Sequence, residues 1–408
     1  MNIRTKNFLK TKFREYFLLT SPEVPPGFES REWAFIHFDD LPDVVMRRHK
    51  SYMTRSELLD YVRAVAPAHI FHSAAYYRRP NAPTMKEKIW SGADLIFDLD
   101  GDHLRNAPKN YGGMLACVKR ETQKLLNFLL DDFGFSEEDI VVVFSGGRGY
   151  HIHVRDPRVF GLGGDERREI VDYLTGRGLD IERFLSSRRV GGDFGVETAD
   201  QLRIPPVDAP GWGGRISRSF LSFVTYLREL DCESAVEMLS SKKGIGGSSA
   251  TKFYESLKSE SALDQIRKGN VDLFKFSSKF WDKLIEEYLD DEGVRIGPEF
   301  RLSDLRGETD EPVTADVKRL IRFPMSLHGG SGLRVTPLSI DGLKIFDPLR
   351  DAVVFGEEPV LLEVTRPFRL ELGSVTQNLK EGPAELPLFA AVFLMARGVA
   401  EMGKALDG

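Results

Sequence analysis

The apolar positions of the chain recur with two different periods. Between 113 and 131, Met114, Cys117, Val118, Leu125, Leu126 and Leu129 return every three to four residues, which predicts a long helix. Residues 4–18, a stretch near 55–66 and residues 165–186 predict further helices, the first ended by the proline-rich loop SPEVPPGFES at 21–30. Other runs read as strands: REWAFIHF (31–38), HIFHSAAYY (69–77), DLIFDLD (94–100) and DIVVVFSGGRGYHIHV (139–154). The last contains two strands joined by the turn SGGRG. A Gly- and Pro-rich region covers 190–214, and from about 216 to 300 helices alternate with polar linkers such as GIGGSSA at 244–250. Residues 311–335 predict a short basic helix, a proline break and a glycine loop. The tail alternates short strands with loops and closes on a helix at about 387–404, with Pro387 in its first turn. This order predicts an α/β (α+β) fold with a mixed sheet, its core formed by 1–215 and 300–408 and a helical insertion at 216–299.

Composition narrows the class. A chain of 408 residues with 41% hydrophobic and 29% charged residues is large enough for more than one lobe. The net charge of −6 argues against coating nucleic acid through overall charge, though not against a local basic groove. Cys117 and Cys232 give no disulfide framework, so a reducing, cytoplasmic setting is expected. The N-terminal segment lacks the apolar core of a signal peptide. The longest apolar run, 388–396, is far short of the roughly 20 residues that span a bilayer, so no membrane association is expected.

The chemistry concentrates in three places. Strand alternation puts Ile96, Asp98 and Asp100 on one face of DLIFDLD, so two carboxylates sit side by side at the end of an apolar strand. A hard divalent cation would relieve their desolvation and repulsion, whereas a solvated acidic loop running on to Asp102 would relieve them with no ion. In SGGRG, Gly146, Gly147 and Gly149 leave backbone N–H groups open to an anion, with Arg148 and Ser145 as phosphate donors and His151 in the next strand. A second glycine segment, SLHGGSG, places Ser326 and His328 before Gly329, Gly330 and Gly332, downstream of Lys318, Arg319 and Arg322. On a helix, Lys318 and Arg322 would share a face. Each element alone is compatible with plain structure; together they suit a nucleoside triphosphate handled with divalent metal.

FDLD, then SGGRGYHIHV, then RLIRFPMSLHG resembles the catalytic small subunit of archaeo-eukaryotic DNA primases, most nearly the archaeal form. The motifs follow the family's order over 94–334, and REWAF, RHKSY and AAYYRRP extend the likeness N-terminally. The resemblance implies a primer-synthesising nucleotidyltransferase that uses nucleoside triphosphates, a single-stranded DNA template and a primase large subunit as heterodimer partner. It implies Asp98, Asp100 and Asp310 as ligands of two Mg²⁺ or Mn²⁺ ions, with Asp316 as the alternative third acid. It also implies nucleotide contacts from Ser145, Arg148, His151, Arg322 and His328, and further ones from Glu32 and Arg48. Two departures stand out. Gly330 occupies a position where relatives commonly carry lysine. The interval between the acidic strand and the SG turn offers only Cys117 and His103, so a structural zinc is not expected. A metal-dependent glycosyltransferase with an acidic pair, a non-catalytic template-binding subunit, and a stand-alone repair or translesion polymerase are the competing readings.

Overall fold

The computed structural model describes residues 1–104, 107–184, 186–190, 199–241, 245–271, 280, 283–284 and 305–403. The expectations for 191–198, Gly244 and most of 272–304 lie outside the described residues. The chain divides into two compact units, one of 1–130, 134–171 and 308–408, the other of 131–133 and 172–307. Residues 172–215 therefore group with the helical unit.

The first unit is built on two four-stranded antiparallel sheets. The first runs in the order Leu320–Arg322, β3 (His69–Ser73), β1 (Trp33–Ile36), β2 (Arg47–Lys50). The second runs Thr336–Leu338, β7 (Ile140–Phe144), β8 (Gly149–Val154), β6 (Leu95–Asp100). Every strand pairing among the described residues is antiparallel, so the fold is α+β and not an alternating parallel wind. The two sheets meet through a buried cluster of Ala74, Ile96, Val313 and Ile321, and His72 faces His153 with ring centroids 6.4 Å apart. The run 69–77 splits after Ser73: β4 (Ala75–Tyr77) pairs instead with β5 (Trp90–Ala93).

Amphipathic helices cover this core. Ile3–Leu19 buries Leu9, Phe13, Tyr16 and Phe17, and its first turn is held by the Asn2 side chain accepting from the Thr5 N–H at 2.8 Å. Tyr111–Asp131 buries the expected stripe of Met114, Val118, Leu125, Leu126 and Leu129. The closing helix is shorter than its sequence suggests, Leu388–Ala396, because the chain turns at Gly398 in a left-handed conformation (φ +65°). It then forms the strand Ala400–Met402 against Pro359–Val364. Leu388 to Met395 are all buried, so this helix is core.

Two further expectations are corrected. The helix at 165–186 ends at Thr175, followed by Gly176 at φ +62°. The basic segment 318–322 is not helical. The short helix Glu311–Ala315 stops at Asp316, whose carboxylate accepts the Lys318 N–H at 2.9 Å, and Leu320–Arg322 then pairs with β3. Ile321 thereby enters the inter-sheet core, a gain that outweighs a two-turn helix exposing the same residue. Lys318 and Arg322 consequently share no helix face.

The second unit contains the helices Gly211–Glu229, Cys232–Ser240, Gly247–Ser256 and Glu260–Arg267. Asp231 and Ser259 cap two of them through the N–H groups of Ser234 (2.9 Å) and Ala262 (3.1 Å). Phe223, Val224, Leu227, Leu239, Phe253, Leu257 and Ile266 form buried parts of it, and the hairpin Ser186–Val190/Ala199–Arg203 belongs to the same unit.

Candidate active site

The acidic strand and the first glycine turn are neighbours because β6 and β8 are paired. Their register sets Asp98 opposite His151 and Asp100 opposite Gly149. Gly149 is obligatory, since a Cβ there would drive into the Leu99 carbonyl oxygen of the adjoining strand. Arg148, carried on the turn just before β8, returns over the acids. Its Nε lies 3.6 Å from Asp100 Oδ1, and its guanidinium pairs with Asp102. His151 Nε2 lies 3.4 Å from Asp98 Oδ1. Burial lowers the His151 pKa despite the opposing pull of Asp98, so the ring is neutral near pH 7 and does not cancel that charge.

The second glycine segment packs directly on the first. Ser331 Oγ donates to the Gly146 carbonyl at 2.5 Å, and Gly146 itself is left-handed at φ +73°. The His328 ring lies against Gly147, where a Cβ would come within 3.1 Å of Nε2. His328 Nδ1 accepts the Gly330 N–H at 3.1 Å, so the ring's proton resides on Nε2. Burial, reinforced by Arg322, keeps its pKa well below the ordinary histidine range. Arg322 donates to His69 Nδ1 at 2.6 Å and stacks over Phe71. Burial brings the Arg322 guanidinium down to about 10 while Asp98 and Asp100 pull it upward. A cavity of about 510 Å³ opens between these parts, lined by Asp98, Asp100, Ser145, Arg148, His151, Arg322 and His328 among others.

The remaining candidates are placed differently. Asp310 approaches β6 from the edge not paired with β8: its N–H donates to the Asp98 carbonyl at 3.0 Å, supported by Thr309 Oγ1 at 3.2 Å. Its carboxylate lies 3.6 Å from His103 Nδ1. Asp316 is occupied by the Lys318 backbone, and neither Asp310 nor Asp316 lines the cavity. Among the described residues no group of three His, Cys, Asp or Glu side chains is gathered closely enough to hold an ion as the side chains stand. Glu32 and Arg48 pair with each other at 3.0 and 3.2 Å, Glu32 also accepts the His49 N–H at 3.1 Å, and neither residue lines the cavity.

Sequence reasoning missed His69, Arg366, Phe368 and Arg397. His69 reads as one more residue of an apolar strand, yet its Nδ1 anchors Arg322 and accepts from the Gly329 N–H at 3.3 Å. Arg366 and Arg397 carry no motif; only the folding-back of the tail brings them to the cavity.

The comparisons with known proteins point the same way. A family model described as DNA primase small subunit matches residues 97–340. A protein named DNA primase small subunit PriS from Methanothrix thermoacetophila is 58% identical over 407 residues, covering 99% of this chain and all of the relative. The chain belongs to the DNA primase small-subunit family. Proteins of the same name from Methanococcoides burtonii and Methanosarcina barkeri are 47% and 44% identical, covering 99% of this chain and 100% and 98% of theirs. As a member of that family the chain is a DNA-directed nucleotidyltransferase, the catalytic subunit of a primase, and the glycosyltransferase and repair-polymerase readings are not favoured. No described helix is long and apolar enough to cross a membrane.

Proposed function

We propose that this chain synthesises primers on single-stranded DNA at the cavity between the acidic strand and the two glycine turns, in company with a primase large subunit. The observation that carries the reading is the β6–β8 register, which sets two adjacent carboxylates opposite a turn bearing Arg148. The donor set suits Mg²⁺ or Mn²⁺: Asp98 and Asp100 are hard oxygen donors with side chains 20% and 33% exposed, and Asp310 is held beside Asp98 through its backbone. Asp98 and Asp100 would hold such ions, and Asp310 would join them by turning its carboxylate from His103 toward the pair. Ions held there would lower the pKa of an attacking 3′-hydroxyl and neutralise charge on the departing pyrophosphate.

The protein's own groups do the binding. Arg148 presents a planar fork to phosphate oxygens and exchanges its Asp100 and Asp102 contacts for them. Arg322, held by His69 and Phe71, adds a fixed positive charge. His328 donates from Nε2 as a neutral imidazole, oriented by the Gly330 N–H at its other nitrogen. Ser145 Oγ accepts the N–H groups of Gly147 and Gly149 at 3.3 Å, leaving its proton to donate outward.

The deciding experiment incubates the purified chain with unprimed single-stranded DNA, Mn²⁺ and either ribo- or deoxynucleotides, and reads the products on a gel. Short template-dependent products that vanish in Asp98→Asn are expected. Products unchanged in Asp98→Asn would refute the assignment of the acidic pair.

A further inference from the structure

The cavity is far more cationic than its motifs account for. Five arginines (Arg148, Arg319, Arg322, Arg366 and Arg397) line it against two aspartates. Arg148 and Arg322 have the partners described above. Arg366 and Arg397 come from the tail, and among the described residues neither forms an ion pair. Arg366 is exposed. Arg397 follows the buried helix Leu388–Ala396, and its guanidinium lies flat over Tyr111 at 4.1 Å and Phe393 at 4.4 Å. Tyr111 in turn donates to the Gly147 carbonyl, so the stacked arginine is fixed to the first glycine turn through one aromatic ring. Packing at a helix C-terminus would account for the stem and the charge. It does not account for Nε, which is buried and, among the described residues, has no hydrogen-bond partner. A buried guanidinium N–H without an acceptor is costly, and the cavity it borders is where an acceptor would come from. Gly330, also on the lining, has no side chain to supply a cation there.

We propose that Arg397, assisted by Arg366, forms a second phosphate-binding wall beside the first glycine turn and grips a polyphosphate together with Arg148. This rests on the reading of the cavity as a nucleotidyl-transfer site. The chemistry recognised is the phosphate oxygen, whether of the incoming triphosphate or of a polynucleotide strand.

The test uses the full chain with Arg397→Met, which keeps the apolar stem over Tyr111, and Arg366→Ala at an exposed position. Three quantities are read: nucleotide KM and kcat, inhibition by inorganic tripolyphosphate, and affinity for a single-stranded oligonucleotide over a series of salt concentrations. A rise of about tenfold in KM and in the tripolyphosphate inhibition constant, with kcat within about threefold, assigns the wall to the triphosphate. A fall in oligonucleotide affinity alone, with a shallower salt dependence, assigns it to strand phosphates. No change in any of the three for either variant, with unchanged melting temperature, overturns the proposal. Should Arg397→Met melt early, Arg397→Lys and Arg366→Ala decide. Tripolyphosphate and oligonucleotide binding are also measured directly, so the wall is tested even if the wild-type chain makes no primers, an outcome that would instead remove the proposed function.

Discussion

Two kinds of carboxylate stand within one unit of this protein, and they are treated in opposite ways. Glu32 is fully buried and saturated: Arg48 holds both its oxygens, the His49 N–H bonds to it, and the buried Lys88 ammonium lies 3.8 Å away. Asp94, in the same stretch as the acidic pair, is 2% exposed and takes Arg31 at 2.8 Å, Tyr76 at 2.9 Å and Arg155 at 3.4 Å. Asp98 and Asp100, four and six residues further on, are partly open: Asp98 meets a neutral imidazole at 3.4 Å, and Asp100 a guanidinium at 3.6 Å and the Asp102 N–H at 3.1 Å. A saturated carboxylate has no capacity for a ligand, and its loss strands buried cations. An unsaturated pair costs the fold little to change and is free to bind. Charge alone does not separate these roles; the completeness of the counter-charge does.

The comparison can be broken by substitution. The largest effect is expected at Asp98: Asp98→Asn should cut primer synthesis about 10³-fold or more, equivalent to roughly 4 kcal/mol, while melting within about 2 °C of wild type. Glu32→Ala should do the reverse, losing about 3–5 kcal/mol of stability by denaturant titration because Lys88 and Arg48 lose their counter-ion. If Glu32→Ala melts normally and raises nucleotide KM instead, Glu32 belongs to the nucleotide pocket and the division fails. Arg148→Ala should raise nucleotide KM about 10- to 100-fold with little change in melting, as the loss of a charge-assisted contact requires; steady-state kinetics with a melting control measures both.

The smallest effect concerns acid. Burial lowers the pKa of His69 to about 3 and those of His72 and His153 well below the ordinary value of 6.5. The unfolded chain therefore binds more protons than the folded one just below pH 6.5. The stability these rings leave intact above that pH is lost as pH falls, by up to about 1.4 kcal/mol per ring per pH unit. Among the described residues neither nitrogen of His153 has a hydrogen-bond partner, so His153→Leu should flatten the fall in melting temperature between pH 6.5 and 5. An unchanged slope would assign the acid sensitivity to other groups.

The residues themselves disclosed much of this. Alternation in DLIFDLD and in YHIHV was enough to place Asp98, Asp100 and His151 on strands, because period-two patterning is a local property of the backbone. Glycine turns were legible at SGGRG and SLHGGSG for the same reason. The basic segment 318–322 misled: its charges at helical spacing suggested a helix, yet the chain forms a strand because β3 offers it an edge and the inter-sheet core accepts Ile321. Long-range pairing of that kind leaves no trace in a short window.

The sequence by itself determined the family, the acidic pair and the two glycine turns, since these depend on residue type and near-neighbour spacing. Only the tertiary structure decided that Asp310 meets Asp98 through its backbone and that Glu32 and Arg48 neutralise each other outside the cavity lining. It alone also brings Arg366 and Arg397 from the tail to the cavity. Which charges end up neutralised, and which remain available, depends on distances across the fold, and these are set by packing between segments hundreds of residues apart.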